Sequence, residues 1–423
     1  MVAVTATATH RTIEAVWRIE SPRVIAGLAR LVGDVGLAED FAQDALLIAL
    51  DRWPESGIPD RPGAWLMATA KHRAIDELRR RRRLERKHEL LAQELEEGLE
   101  AELPRLDAAL DDPVGDDLLR LIFIACHPVL SPDARPALTL RLVGGLTTEE
   151  IARAYLVSVP TVAQRIVRAK RTLAEAQVPF EVPRGEELAS RLASVLEVIY
   201  LIFNEGYAAT AGDDWIRKEL CDEALRLGRV LAGLAPTESE VHGLVALLEL
   251  QASRLRARTA PNGEPILLLE QQRGRWDQLL IRRGLAALER AERLTAEPGP
   301  YQLQAAIAAC HARARTAEAT DWPRIAGLYE QLARRQPSPV VELNRAMAVA
   351  MARGPAEGLL LLDALAGDPA LQSYHLLPSA RGDLLSKLGR RREAHDEFSR
   401  AATLTHNARE RALLLRRAAA CRG

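Results

Sequence analysis

The sequence predicts an all-α protein. Aromatic residues make up only 4% of the 423-residue chain while Ala, Leu and Arg abound, a composition that favours helix over strand. Apolar residues recur at three- and four-residue spacing along most of its length, with Gly and Pro marking the turns. The length suits about three domains. The predicted architecture is two small helical domains, the second a helix-turn-helix, joined by an acidic linker and followed by a large domain of helical repeats. The expected boundaries are 10–84, 85–117, 118–178 and 185–423.

In the first domain, Leu37, Phe41, Ala45 and Ile48 share one helical face, and Asp40 and Asp44, four apart, share another. On spacing alone these are plain surface acids. Residues 65–87 form a second helix, with Trp65, Leu66, Thr69, Ile75 and Leu78 as its buried face. Lys71, His72, Arg73 and the run Arg79 to Arg83 remain outside. Such positive density favours phosphate contact. Residues 85–117 are the electrostatic opposite, with twelve Asp or Glu against three Lys or Arg. Leu90, Leu91 and Leu95 permit a short helix there, and Pro104, Pro113 and Gly115 mark the rest as linker.

Residues 130–173 read as a helix, a second helix, a tight turn and a basic third helix. Thr147 and Glu150 have capping-box spacing, and Glu149 and Glu150 suit the positive end of the helix dipole. Ile151, Ala152 and Tyr155 supply an apolar face. Ser158 caps the third helix, and Pro160 is tolerated in its first turn. Val162, Ile166 and Leu173 point inward, leaving Gln164, Arg165, Arg168, Lys170 and Arg171 outside. A helix-turn-helix with this outer face suits the major groove of DNA. Taken alone, it is also what a solvated charged face looks like.

These three segments, in this order, resemble the extracytoplasmic-function (group IV) sigma factors of bacterial RNA polymerase, over roughly residues 10–178. The stretch Ala38-Glu39-Asp40-Phe41-Ala42-Gln43-Asp44 resembles the region 2 helix that grips the polymerase core. The resemblance assigns core binding to Asp40, Gln43 and Asp44. Trp65-Leu66, Asp76 and Arg79-Arg80 resemble the segment that reads and opens the −10 element. It implies −10 contacts from Lys71, His72, Arg73, Arg79 and Arg80. Residues 130–173 resemble region 4, implying −35 contacts from Thr161, Gln164, Arg165, Arg168, Lys170 and Arg171. By their chemistry, Arg suits guanine and Gln suits adenine, whereas Lys170 and Arg171 suit the backbone. The chain departs from the family where it carries His72 in place of a frequent Asn, which leaves the captured −10 base open. The acidic linker reads either as a solvated tether or, by resemblance, as a connector threading polymerase channels.

Minimal members of that family would end near residue 178. Here further amphipathic helices follow: one on Leu188, Leu192, Val195, Ile199 and Phe203, and one on Leu220, Ala224, Leu227 and Leu231. A third carries Val241, Leu244, Val245 and Leu248 behind a capping box at Thr237 and Glu240. A fourth carries Trp276, Leu280, Leu288 and Leu294. The turn Asn204-Glu205-Gly206-Tyr207, with Asp213-Asp214 nearby, reads as a capping and turn network rather than a ligand or metal site, because acids without His or Cys spacing are a weak metal signal. Ile325, Tyr329 and Leu332 mark a further helix. Glu393-Ala394, Phe398 and Ala401 echo Glu357-Gly358, Leu362 and Leu365 thirty-six residues earlier. This period is close to that of tetratricopeptide repeats. It resembles the tetratricopeptide-like extensions of one large subgroup of these sigma factors. Tandem hairpins make a curved surface suited to a protein or peptide regulator, or form a passive helical domain.

The four cysteines lie far apart without metal-ligand spacing, so no metal or cofactor is expected. Cys126-His127 reads as structural. No phosphate loop is present, no nucleophile and base can be grouped, and the expected protein is not an enzyme. No leader or membrane-length apolar run is evident, so a cytoplasmic protein with reduced thiols is expected. Net charge is −1, so basic character is local. The expected function is promoter-specific initiation with RNA polymerase core and promoter DNA as partners. The competing expectation is a helix-turn-helix regulator with a ligand-sensing repeat domain.

Overall fold

A computed structural model describes residues 2–85, 116–155, 157–183, 186–208, 211–212, 215–261 and 263–422. Most of the acidic linker, 86–115, lies outside the described residues, as do Asp213 and Asp214 and the side chains of Arg81 to Arg83. The chain divides into two units, residues 1–198 and 199–423.

In the first unit α1 (Val2–Val32), α2 (Val35–Ser56) and α3 (Pro62–Glu85) pack on one another. Asp34 caps α2, its carboxylate accepting from the Leu37 amide at 2.9 Å. Gly57, at φ +83°, ends it by donating to the Trp53 carbonyl. Trp53 is fully buried and meets Trp65 edge-on at 5.2 Å, fixing the end of α2 to the start of α3. Phe41 and Ala45 are buried as the pattern predicts, but Leu37 and Ile48 are only half-buried. Val35, Ala38, Ala42 and Ala49 complete the stripe, because α2 is covered on two sides rather than one. In α3, Leu66 and Ile75 are buried with Met67, Ala70 and Ala74, while Trp65, Thr69 and Leu78 flank them.

The next helices, α4 (Asp116–Ala125), α5 (Ala134–Leu142), α6 (Thr148–Tyr155) and α7 (Val159–Glu175), belong to the same unit, with α4 packed on α1. The capping box forms: the Thr147 amide donates to Glu150 at 2.8 Å and the Glu150 amide to Thr147 Oγ1 at 3.1 Å. Ser158 caps α7 through the Thr161 amide, Pro160 sits in its first turn, and Val162, Ile166, Ala169 and Leu173 are buried. The first half of α8 (Glu186–Tyr207) completes the unit. Arg191 donates to the Phe123 carbonyl at 3.0 Å and Ser194 to the Cys126 carbonyl at 2.7 Å. A truncation at residue 180 would therefore remove part of this unit. Cys126 is buried beside Thr139 and its thiol is pushed up to about 12 by burial. His127 accepts the Val129 amide, so both act structurally.

The second unit stacks helices in chain order: α9 (Lys218–Leu234), α10 (Ser239–Ala252), α11 (Gln278–Leu294), α12 (Pro300–Arg313), α13 (Trp322–Arg335), α14 (Pro339–Arg353), α15 (Pro355–Ala364), α16 (Leu376–Lys387), α17 (Arg391–Leu404) and α18 (Ala408–Ala420). Its only strands among the described residues, β1 (Ala211–Gly212) and β2 (His406–Asn407), form a two-residue parallel pair. Three core clusters follow one another, centred on Leu247, Leu250 and Trp276, on Ile307, Ile325 and Leu332, and on Leu362, Leu384 and Phe398. Each closes one hairpin onto the next, as repeat packing requires. Ala394, Phe398 and Ala401 are buried together. At Gly358 a Cβ would lie 2.4 Å from that of Ala350, so the helices approach there too closely for a larger residue.

Three local expectations change in the folded chain. Glu240 does not close a capping box with Thr237. Its carboxylate accepts the Tyr301 and Gln302 amides at 2.9 and 3.1 Å, capping α12 instead. Burial pushes the Glu240 carboxyl up despite these bonds. Asn204 to Tyr207 form the last turn of α8, not a loop. On α11 the inward row is Ile281, Gly284, Leu288 and Ala291, leaving Leu294 exposed and Leu280 half-buried, with Trp276 lying before the helix.

Candidate nucleic-acid interface

The outer face of α7 follows from its inner one. With Val162, Ile166 and Leu173 buried, Gln164, Arg168 and Arg171 are exposed on successive turns. Thr161 is half-buried, its hydroxyl 2.7 Å from that of Ser158. Arg165 leans towards Asp133 at 3.1 Å, and Arg171 towards Glu175 at 2.8 Å. Both pairs are exposed, weak and replaceable by phosphate or base. Val167, 64% exposed among these groups, is an apolar tip the sequence reading missed. Its signal was an aliphatic residue off the buried stripe.

Lys170 differs from the sequence expectation. It is not outside: its ammonium meets Glu39 of α2 at 2.6 Å. The same carboxylate takes Arg141 of α5 at 2.6 Å and the Gln43 carboxamide at 2.6 Å. The Glu39 side chain is only 4% exposed. Burial pushes its carboxyl up, but the Lys170 and Arg141 charges outweigh burial and hold it below the usual range. A second tie, from Arg18 of α1 to Glu150 at 2.6 Å, joins the capping box to α1. The segments 10–84 and 118–178, which the sequence separates by a linker, thus pack through buried charge. A single acid between Ala38 and Asp40 carried no sequence signal of this role.

On α3, His72, Arg73, Arg79 and Arg80 are exposed and Lys71 is half-buried. Arg80 pairs with Glu77 at 3.2 Å. On α2, Asp40 and Asp44 are exposed on one face, whereas Gln43 is half-buried and committed to Glu39. Asp40 lies 3.9 Å from Lys170. Leu47, 63% exposed one turn beyond Asp44, and exposed Asp51 extend the face. Sequence reading missed both. Their i, i+4, i+7, i+11 spacing was the available signal.

Comparison with known proteins covers the segments that carry these faces. Residues 17–84 match the sigma-70 region 2 family and residues 120–173 the sigma-70 region 4 family. A probable ECF RNA polymerase sigma factor, SigI, of Mycobacterium tuberculosis is 29% identical over 174 residues, covering 41% of this chain and 58% of that protein. The chain thus carries sigma-70 regions 2 and 4 and is similar to an extracytoplasmic-function sigma factor. Beyond these regions the chain carries an extension, of which residues 191–292 match a family of unknown function, DUF6596. An uncharacterized protein of Rhizobium meliloti (strain 1021) is 44% identical over 394 residues, 93% of this chain and 92% of its own length, so it shares the extension. Among the described residues, no helix is long and apolar enough to cross a membrane, and no group of His, Cys, Asp or Glu is placed to hold a metal.

Proposed function

We propose that this protein directs promoter-specific initiation by RNA polymerase, with α7 reading the −35 element, α3 the −10 element and α2 holding the core enzyme. It performs no covalent chemistry and acts in the cytoplasm. The observation that carries this reading is the set of three outward faces on one unit: guanidinium and carboxamide on α7, a basic row on α3, and carboxylates flanking an exposed leucine on α2. A helix-turn-helix regulator would leave the last two without a role. Gln164 and Arg168 present base-reading groups, Val167 a contact for a thymine methyl, and Arg171 a phosphate contact. On α3, Lys71, Arg73, Arg79 and Arg80 meet phosphates while His72 meets the splayed −10 base, whose capture offsets part of the unstacking cost. Residues 199–423 modulate this activity by binding a regulator.

Run-off transcription with purified core polymerase tests the reading. Full-length protein is expected to start transcripts at a cognate promoter and none from a scrambled one. Arg168→Ala is expected to cost about 1–3 kcal/mol at the cognate −35 element and to relax specificity there. Arg171→Ala is expected to weaken all duplexes alike and flatten the salt dependence. Unchanged discrimination in Arg168→Ala, or lost discrimination in Arg171→Ala, contradicts these roles.

A further inference from the structure

The second unit contains a cavity of about 330 Å³ lined by α8, α10, α12, α13 and α14. Its size suits a small ligand or a short chain segment. Carboxamides come from Asn204 on α8, Gln251 on α10, Gln304 on α12, Gln336 at the end of α13 and Asn344 on α14. Each successive inner helix therefore contributes one. No lining residue is charged.

The hydrogen-bond inventory shows what the cavity lacks. Gln251 Oε1 is buried with no partner, and such an acceptor calls for an N–H or O–H. Tyr200 donates to Gln304 Oε1 at 3.0 Å, which leaves the Gln304 amino group to donate elsewhere. Tyr207 accepts from Arg254 through its hydroxyl, which leaves its own proton to donate. Tyr329 stays a neutral phenol, its hydroxyl pushed up to about 12 by burial. Acceptors and donors are thus both offered, with no charge among them. Leu247, Ile307, Leu332 and Val340 fill the spaces between.

We infer that this cavity binds an uncharged peptide segment in extended form. A peptide group brings one N–H and one C=O, which a carboxamide matches with its own oxygen and amino group. Apolar side chains of the peptide take the aliphatic spaces, where sugar hydroxyls would be left unpaired. A phosphate or carboxylate finds no lining cation to neutralise it. The inference rests on the reading of residues 199–423 as the regulator-binding part, and it names the chemistry of that regulator.

The test is fluorescence polarisation on the full-length protein without polymerase, so its outcome is independent of any transcription result. The probes are fluorescein-labelled, C-amidated hexapeptide pools: one of uncharged residues, and one with Asp or Glu at alternate positions. Maltohexaose serves as competitor. Saturable binding of the uncharged pool is expected, at least tenfold tighter than the acidic pool and not displaced by maltohexaose. Gln251→Met and Asn344→Leu are each expected to weaken binding at least tenfold with unchanged circular dichroism. The two are read separately, so that one unfolded variant leaves the other decisive. No saturation at millimolar peptide overturns the proposal. So does equal binding by a folded variant, tighter binding of the acidic pool, or displacement by the sugar.

Discussion

Replacing Glu39 with Gln is expected to destabilise the first unit by about 3–5 kcal/mol, because removing one partner of a buried ion pair strands the other. Here two cations lose their shared anion: Lys170 and Arg141 both lie 2.6 Å from the Glu39 carboxylate. The loss is read by hydrogen exchange in α2 and α7, which separates this unit from residues 199–423 and avoids treating the whole chain as two-state. The wild-type contribution depends on pH in a definite direction. The Glu39 carboxyl is held below its ordinary 4.5 in the folded chain. Its stabilisation is therefore complete above pH 4.5 and is lost as pH falls through the folded value. The variant should lack that acid-limb dependence. A destabilisation below about 1 kcal/mol, or an acid limb identical to wild type, would falsify the role given to Glu39.

The double variant Asp44→Arg, Leu47→Arg should lose more than a hundredfold in affinity for core polymerase while melting like the wild type. Juxtaposed like charges at an interface cost several kcal/mol, and each 1.4 kcal/mol is tenfold. Both side chains are exposed, so the fold does not depend on them. Asp40 is left untouched because it lies 3.9 Å from Lys170. Reversing it would disturb the packing of α2 on α7 and confuse two effects. Core polymerase captured equally by wild type and variant would remove α2 from the polymerase contact. A variant that keeps core binding yet fails in transcription would place the face elsewhere in the initiation complex.

Much of the molecule was legible because it depends on near neighbours in sequence. The capping box at Thr147 and Glu150, the Ser158 cap and the buried row of α7 are set within one or two turns of helix, and all form as the spacing predicts. The α9 stripe Leu220, Ala224, Leu227 and Leu231 is buried for the same reason. Where a helix is covered on more than one side, periodicity loses its phase. That is why the α2 stripe extends past Leu37 and Ile48, and why α11 turns Leu294 outward.

By itself, the sequence determined the helices, their order, the resemblance to sigma regions 2 and 4 and the polar faces left over after each apolar stripe was buried. Those properties follow from short-range sterics and hydrophobic periodicity. Tertiary structure alone decided which acids and amides found partners far along the chain. Glu240 satisfies the amides of a helix about sixty residues on, because an unpaired helix start must be capped by whichever group lies nearest in space. Glu39 is buried because two cations from distant helices converge on it, and such convergence leaves no periodic trace. The cavity of carboxamides exists only once five helices bring one residue each to a common surface.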